Sequence, residues 1–265
     1  MGRAVQLTAS ATWWPSVLWQ TTTLELTRDG ERLLVDPGIA PWEVLEAAGD
    51  GADNLLITHA DWDHVMGIGL LPTARVHASA AAAERIRSGA VRGEVEQESR
   101  AYALPLEGLD GLRVDQLLPA TPVETAIGSF AAVCHPAPGH TPDGAATWLP
   151  EERLLIAGDH LSEQELPFIN YSAWSYRDTL RMLIEVIERE QPQLVVIGHG
   201  PPHPSDRAKH VAEQDLAYVE SVIAFAEAGG DPEAAAGIDH PQRASDDAEA
   251  HAANVRLACQ SAAER

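Results

Sequence analysis

Apolar residues come in short runs along this chain, and most runs stop at a glycine, a proline or an acidic residue. In the first half, "VLWQTTTLELTRDGERLLVDPG" gives two β-rich runs around Arg28-Asp29-Gly30. Asp-Gly between two such runs predicts a hairpin, because its tight turn needs positive φ at both central residues. Val35-Asp36-Pro37-Gly38 ends the second strand in a turn. "PWEVLEAAG" begins at Pro41 and stops at Gly49, as a short helix does. "NLLITH" and "RVHAS" read as buried strands, and an Ala-rich helix follows from Ala80 to Arg87.

The second half repeats the style. "GSFAAVCHP", "AATWLP" and "RLLIAGD" read as consecutive strands, and "SYRDTLRMLIEVIERE" as the clearest helix. There Ser175 and Asp178 form a capping box, and Leu180, Leu183, Ile184 and Ile187 follow helical spacing. "PQLVVIGHG" is a short buried strand stopping at Gly198, with a helix from Ser205 to Ala228 after it. Gly229 to Pro241 breaks the pattern. The tail from Arg243 to Arg265 is Ala-rich and helical in pattern, with a thin apolar stripe of Ala248, Ala252, Val255, Cys259 and Ala262. We expect a main domain over residues 1–228. An acidic, helical extension over 229–265 would pack on that domain or on a second copy in a homodimer. Strand runs followed by helices in each half predict an α/β protein with two β-rich halves and helices outside.

Composition adds bounds. The chain has 265 residues, enough for a sizeable core, with 45% hydrophobic and 22% charged residues. Eighteen basic residues against forty acidic ones give a formal charge of −22, which repels phosphate backbones and argues against nucleic acid as a partner. Two distant cysteines, Cys134 and Cys259, make no disulfide framework and fit a reducing compartment. No window approaches the ~18 apolar residues of a membrane span, and the N-terminus lacks a signal-peptide core. The expectation is a cytoplasmic protein with a small-molecule substrate and no membrane partner.

The candidate chemistry lies where the strands end. "LLITHADWDHVMG" packs His59, Asp61, Asp63 and His64 together, and His140, Asp159 and His199 follow in "PGHTPDG", "AGDHL" and "IGHG". His and Asp are transition-metal ligands, and α/β architectures place ligands on loops beyond strand ends. Residues at i and i+2 of an extended turn reach one ion, and an Asp-His pair at the start of a helix reaches another.

On these residues the chain resembles the metallo-β-lactamase superfamily. The matching stretches are "THADWDH", "PGHTPDG", "AGDHL" and "IGHGPP", with "LLVDPG" as the early Asp turn, so the resemblance covers residues 17–202. It implies a four-layer αβ/βα sandwich, two mixed β-sheets face to face with helices outside. It also implies two divalent metal ions, zinc foremost. His59 and His140 would hold the first, with Asp61 where the family usually has a second His. Asp63, His64 and His199 would hold the other, Asp159 would bridge them, and Asp36 would orient an imidazole from behind. Hydrolysis follows from the resemblance, with a hydroxide between the ions attacking an ester, thioester or lactone, and Asp63 as the catalytic group that orients it and takes up its proton.

The departure at Asp61 exchanges a neutral ligand for a negative one. Three ligand carboxylates and a hydroxide then balance two divalent ions, which weakens the Lewis acid and lets manganese or iron compete with zinc. The alternatives are therefore an iron-dependent oxidoreductase or dioxygenase on the same fold, or a phosphodiesterase. Trp13 and Trp14, in "TASATWWPS", are candidates to cover an apolar substrate portion, as a flap does in the family. His160, Phe168 and Tyr171, after Asp159, are candidates to line the opening.

Overall fold

The computed structural model describes residues 4–106, 108–243 and 248–264. Among them the strands form two mixed sheets, of seven and five strands, with seven α-helices. The first sheet begins with β1 (Val5–Gln6), β2 (Ala11–Pro15), β3 (Thr22–Arg28) and β4 (Glu31–Val35), each antiparallel to the next. Asp29 and Gly30, at φ 52° and 84°, make the expected tight turn between β3 and β4. β5 (Asn54–Leu56), β6 (Arg75–Ala78) and β7 (Gln116–Leu117) then continue the sheet in parallel. Parallel neighbours need crossovers. These carry α1 (Pro41–Ala48), α2 (Trp62–Val65), and the pair α3 (Ala80–Ser88) and α4 (Ala90–Ala101).

The chain divides into two compact units. The first comprises residues 1–136 and 145–152, the second 137–144 and 153–265. In the first unit, Leu34, Leu55, Ile57 and Val76 meet Val44, Trp62, Val65 and Val91 from the helices in one buried core. The same unit holds an antiparallel meander of β8 (Glu124–Ile127), β9 (Phe130–Pro136) and β10 (Ala145–Leu149). Two hydrogen bonds tie the meander to the first sheet. Ser129 N donates to the Glu31 carboxylate at 2.7 Å, and Ala145 N donates to Thr58 O at 2.8 Å. The second unit contains the parallel pair β11 (Leu154–Ile156) and β12 (Leu194–Val196) with α5 (Ala173–Glu190), α6 (Ser205–Glu227) and α7 (Ala248–Ala263).

Four local expectations change. The segment Thr8 to Ser16 contains strand β2, and its Trp13 is buried. α4 is an added helix, masked in the sequence because Gly93 interrupts it and only Val91 and Val95 make an apolar stripe. α5 begins at Ala173 and is capped by Ser172, whose Oγ accepts from Ser175 N at 3.2 Å. Burial of Ala173 and Trp174 carries that helix past the Ser175 capping box we expected. Within the 243–265 tail, α7 buries Val255 of the expected stripe, but with His251, Asn254 and Ala258 in place of Ala248, Ala252, Cys259 and Ala262, while residues 244–247 and 265 lie outside the described residues. The face is polar because His251 and Asn254 both hydrogen-bond Tyr218 of α6. Arg243 donates to the buried carboxylate of Asp215, whose burial pushes it up to about 7 against the pull of that guanidinium. Among the described residues no helix is long and apolar enough to cross a membrane.

The glycine that ends the first motif has a steric cause. Gly67 N donates to Pro37 O at 2.8 Å, and a Cβ on Gly67 would lie 2.3 Å from that oxygen. Gly67→Ala should therefore destabilise the protein by about 1–3 kcal/mol in urea unfolding, the usual range for forced overpacking. Gly93→Ala, whose Cβ would meet nothing within 4 Å, should instead stabilise by roughly 0.5–1 kcal/mol.

Candidate metal centre

The C-terminal ends of the parallel strands β4 and β5 carry the His/Asp cluster of the first unit. Asp36, at φ 46°, turns its carboxylate under the loop that follows β5. Its Oδ1 accepts from Thr58 N at 2.8 Å, and its Oδ2 accepts from Thr58 Oγ1 at 2.7 Å. Asp36 Oδ2 also lies 3.1 Å from His64 Nδ1. Thr58 Oγ1 has one hydrogen and gives it to Asp36, so it must accept from His59 Nδ1, 3.0 Å away. Both imidazoles are thereby fixed with hydrogen on Nδ1 and the lone pair on Nε2.

Those lone pairs face carboxylates. His64 Nε2 is 3.4 Å from Asp63 Oδ2, and His59 Nε2 is 3.8 Å from Asp61 Oδ2. Asp63 Oδ2 also accepts from Thr21 Oγ1 at 3.3 Å. Asp61 occupies the N-cap position of α2, yet its side chain makes no capping bond. Its Oδ1 instead accepts from Arg85 of α3 at 2.9 Å, and Arg85 also contacts Glu94 of α4.

The second unit repeats the arrangement around Asp159. His140 Nδ1 donates to the carbonyl of Phe168 at 2.7 Å, which leaves the lone pair on Nε2. His140 Nε2 lies 3.4 Å and His199 Nε2 3.2 Å from the same oxygen, Asp159 Oδ2. Asp159 follows Gly158, at φ 62°, in a turn where buried Leu161 takes φ 66°. Left-handed φ at a branched residue stores strain of the kind that collects at functional sites. At His59, His64 and His140 an acceptor nitrogen thus faces a carboxylate, which is stable only with positive charge between them, a proton or a metal ion, whereas His199 Nε2 is hydrogen-bonded to Asp159 Oδ2.

Residues 17–199 match the Metallo-beta-lactamase superfamily model. The chain belongs to the metallo-β-lactamase superfamily. A Bacillus subtilis (strain 168) protein, the uncharacterized YobT, is 25% identical over 189 residues, 65% of this chain and 78% of its own. Among solved structures, the stereoselective inverting sec-alkylsulfatase Pisa1 from Pseudomonas sp. superimposes with TM-score 0.76 at 12% identity, covering 98% of this chain. The chain spans only 50% of that enzyme's length. A metallo-β-lactamase family protein from Thermus thermophilus gives TM-score 0.63 at 20% identity over 84% of this chain and 83% of its own. The B3 metallo-β-lactamase BLEG-1 gives 0.58 at 20% identity over 74% and 94%. At these identities the structural likenesses show the fold.

Superfamily members are mostly metallo-hydrolases. His59, Asp61, Asp63, His64, His140, Asp159 and His199 form groups that could hold a metal ion. The other residues singled out from the sequence have varied surroundings. Trp13 donates from Nε1 to Thr22 Oγ1 at 3.1 Å, and Trp14 from Nε1 to Glu25 at 3.2 Å. His160 is buried, donating Nδ1–H to Ala157 O at 3.1 Å with its ring against Tyr176. Burial holds the Tyr176 phenol well above its usual range, so it stays a donor, and its Oη reaches Asp159 O at 3.4 Å. Phe168 and Tyr171 are exposed. The sequence reading missed Thr58, Thr21 and Arg85, which hold ligand candidates in place. It also missed an aromatic corner in which Trp19 sits edge-on to Trp62 and Tyr102. Trp62 stands inside the motif, between Asp61 and Asp63, and was the one available signal for that corner.

Any orientation of an amide at position 36 turns an N–H toward at least one of the donors that Asp36 now accepts. Asp36→Asn should therefore destabilise the fold by about 2–4 kcal/mol in urea unfolding, since hydrogen bonds to a charged group contribute roughly 1.5–3 kcal/mol each. Asp61→Asn, at a half-buried side chain, should cost under about 1 kcal/mol in the same measurement.

Proposed function

We propose that this superfamily member is a metal-dependent hydrolase of small-molecule esters, thioesters or lactones. In this reading seven side chains serve two divalent ions. His59, Asp61 and His140 would hold one, Asp63, His64 and His199 the other, with Asp159 shared. The observation that carries the reading is the tautomer pattern: His59, His64 and His140 each have Nδ1 occupied by a fixed acceptor and Nε2 aimed at a carboxylate. Metal-ligating histidines are held in this way. The donor set of imidazole nitrogen and carboxylate oxygen fits zinc, and also manganese or iron.

Divalent ions bound there would polarise a scissile carbonyl and lower the pKa of water. The chain's own groups do the rest. Asp63 is the general base in this reading. Its carboxylate takes up the proton of the attacking water and returns it to the leaving oxygen or sulfur. Thr21 Oγ1 donates to Asp63 Oδ2 and holds that carboxylate in place. Arg85 pairs with both Asp61 and Glu94, so it offsets only part of the extra negative charge at Asp61. The acidic surface favours neutral or cationic substrates over polyanions.

The test is a metal-by-substrate screen. Protein loaded with zinc, manganese or iron is assayed on aryl esters, thioesters, lactones, sulfate esters and phosphodiesters. The expected result is metal-dependent hydrolysis of an acyl substrate that falls roughly 10²–10⁴-fold in Asp63→Asn, the usual loss for a general base. Oxygen consumption by the iron-loaded protein, or activity on bis-aryl phosphodiesters alone, would overturn the assignment.

A further inference from the structure

The geometry points to Asn254, on the C-terminal helix α7, as the residue that positions the imidazole of His140. The assignment rests on the reading of His140 as a metal ligand. Asn254 lies outside the matched residues 17–199, so the superfamily pattern does not account for it.

The chain of contacts lies wholly in the second unit. Asn254 is 1% exposed. Its Nδ2 donates to Pro167 O at 2.6 Å, and its Oδ1 accepts from Ile169 N at 3.0 Å. Its remaining amide hydrogen goes to Tyr218 Oη at 3.1 Å. The amide thus grips the peptide groups on both sides of Phe168, and the Phe168 carbonyl is the acceptor for His140 Nδ1. The backbone of the same loop closes back on the histidine turn, with Asn170 N donating to His140 O at 3.0 Å and Tyr171 N to Gly139 O at 3.3 Å.

This grip needs an amide. Pro167 O can only accept and Ile169 N can only donate, so the side chain cannot be flipped, and an isosteric carboxylate would set an oxygen against Pro167 O. Phe168 itself is 44% exposed, so its ring does little to fix its own carbonyl. Asn254 supplies that fixing from below. His140 receives a fixed acceptor at Nδ1, and its Nε2 keeps one direction. The buried polar face of α7 is thereby explained: the helix is retained for a backbone clamp as well as for packing.

The test compares four variants as apo-proteins titrated with zinc against a chromophoric chelator, and with cobalt followed by its visible absorption. Asn254→Asp and Asn254→Ser remove the clamp. Tyr218→Phe loosens the same buried cluster but leaves both loop bonds. His140→Ala is the reference for losing the ligand. The assignment predicts that the Asn254 variants weaken the His140-dependent metal site by roughly 10–100-fold and alter the cobalt spectrum, as loss of an outer partner does. Tyr218→Phe should lower the unfolding midpoint while leaving affinity within about twofold. Three results would overturn the assignment: equal affinity losses in the Asn254 and Tyr218 variants, wild-type affinity in the Asn254 variants, or failure of both Asn254 variants to fold. If His140→Ala itself leaves metal binding unchanged, the ligand reading fails, and that outcome is separate from the others.

Discussion

A single buried carboxylate, that of Asp36, sets the chemistry of the first unit. It is 3% exposed and accepts from a backbone amide, a hydroxyl and an imidazole. A charge so placed is tolerable only when several donors converge on it. The donors it collects are Thr58 and His64, and through Thr58 it decides the tautomer of His59. One residue therefore fixes which nitrogen each motif imidazole presents. The left-handed φ of Asp36 follows from the same need, since the side chain must turn back under the β5 loop. Gly67 completes the arrangement by letting the end of the motif approach Pro37 O, next in the chain to Asp36.

The second unit reaches a similar result by other means. There Asp159 collects two imidazole nitrogens on one oxygen, and the acceptor behind His140 is a backbone carbonyl. A carbonyl is as good as its loop is rigid. The loop after Asp159 is held by its own bonds to the His140 turn and by α7. The two halves thus differ in kind. The first rests on a buried charge built into a sheet, and the second on peptide groups held by a helix near the end of the chain.

Much of this was legible in the sequence. The hairpin at Asp29-Gly30 and the short helix closed by Gly49 follow from local patterns, and the structure places them as read. What escaped depends on pairing across long separations. Arg85 meets Asp61 across 24 residues and Thr21 meets Asp63 across 42, and neither partner carries a local signal. α4 was hidden by its glycine and charges. The register of α7 was misjudged for a related reason: the alanine stripe suggested an apolar face, but hydrogen bonds to Tyr218 and to the 167–169 loop turned His251 and Asn254 inward. Periodicity reads apolar faces and is blind to buried polar ones.

In the proposed reading, the carboxylates and imidazoles of this chain are arranged for cations and not merely for one another. The deciding quantity is the metal content of the purified protein, measured by inductively coupled plasma mass spectrometry after dialysis against metal-free buffer. About two divalent ions per chain are expected, the number that binuclear hydrolases use. Protein that retains no metal, and takes up none when zinc, manganese or iron is supplied, would contradict the reading.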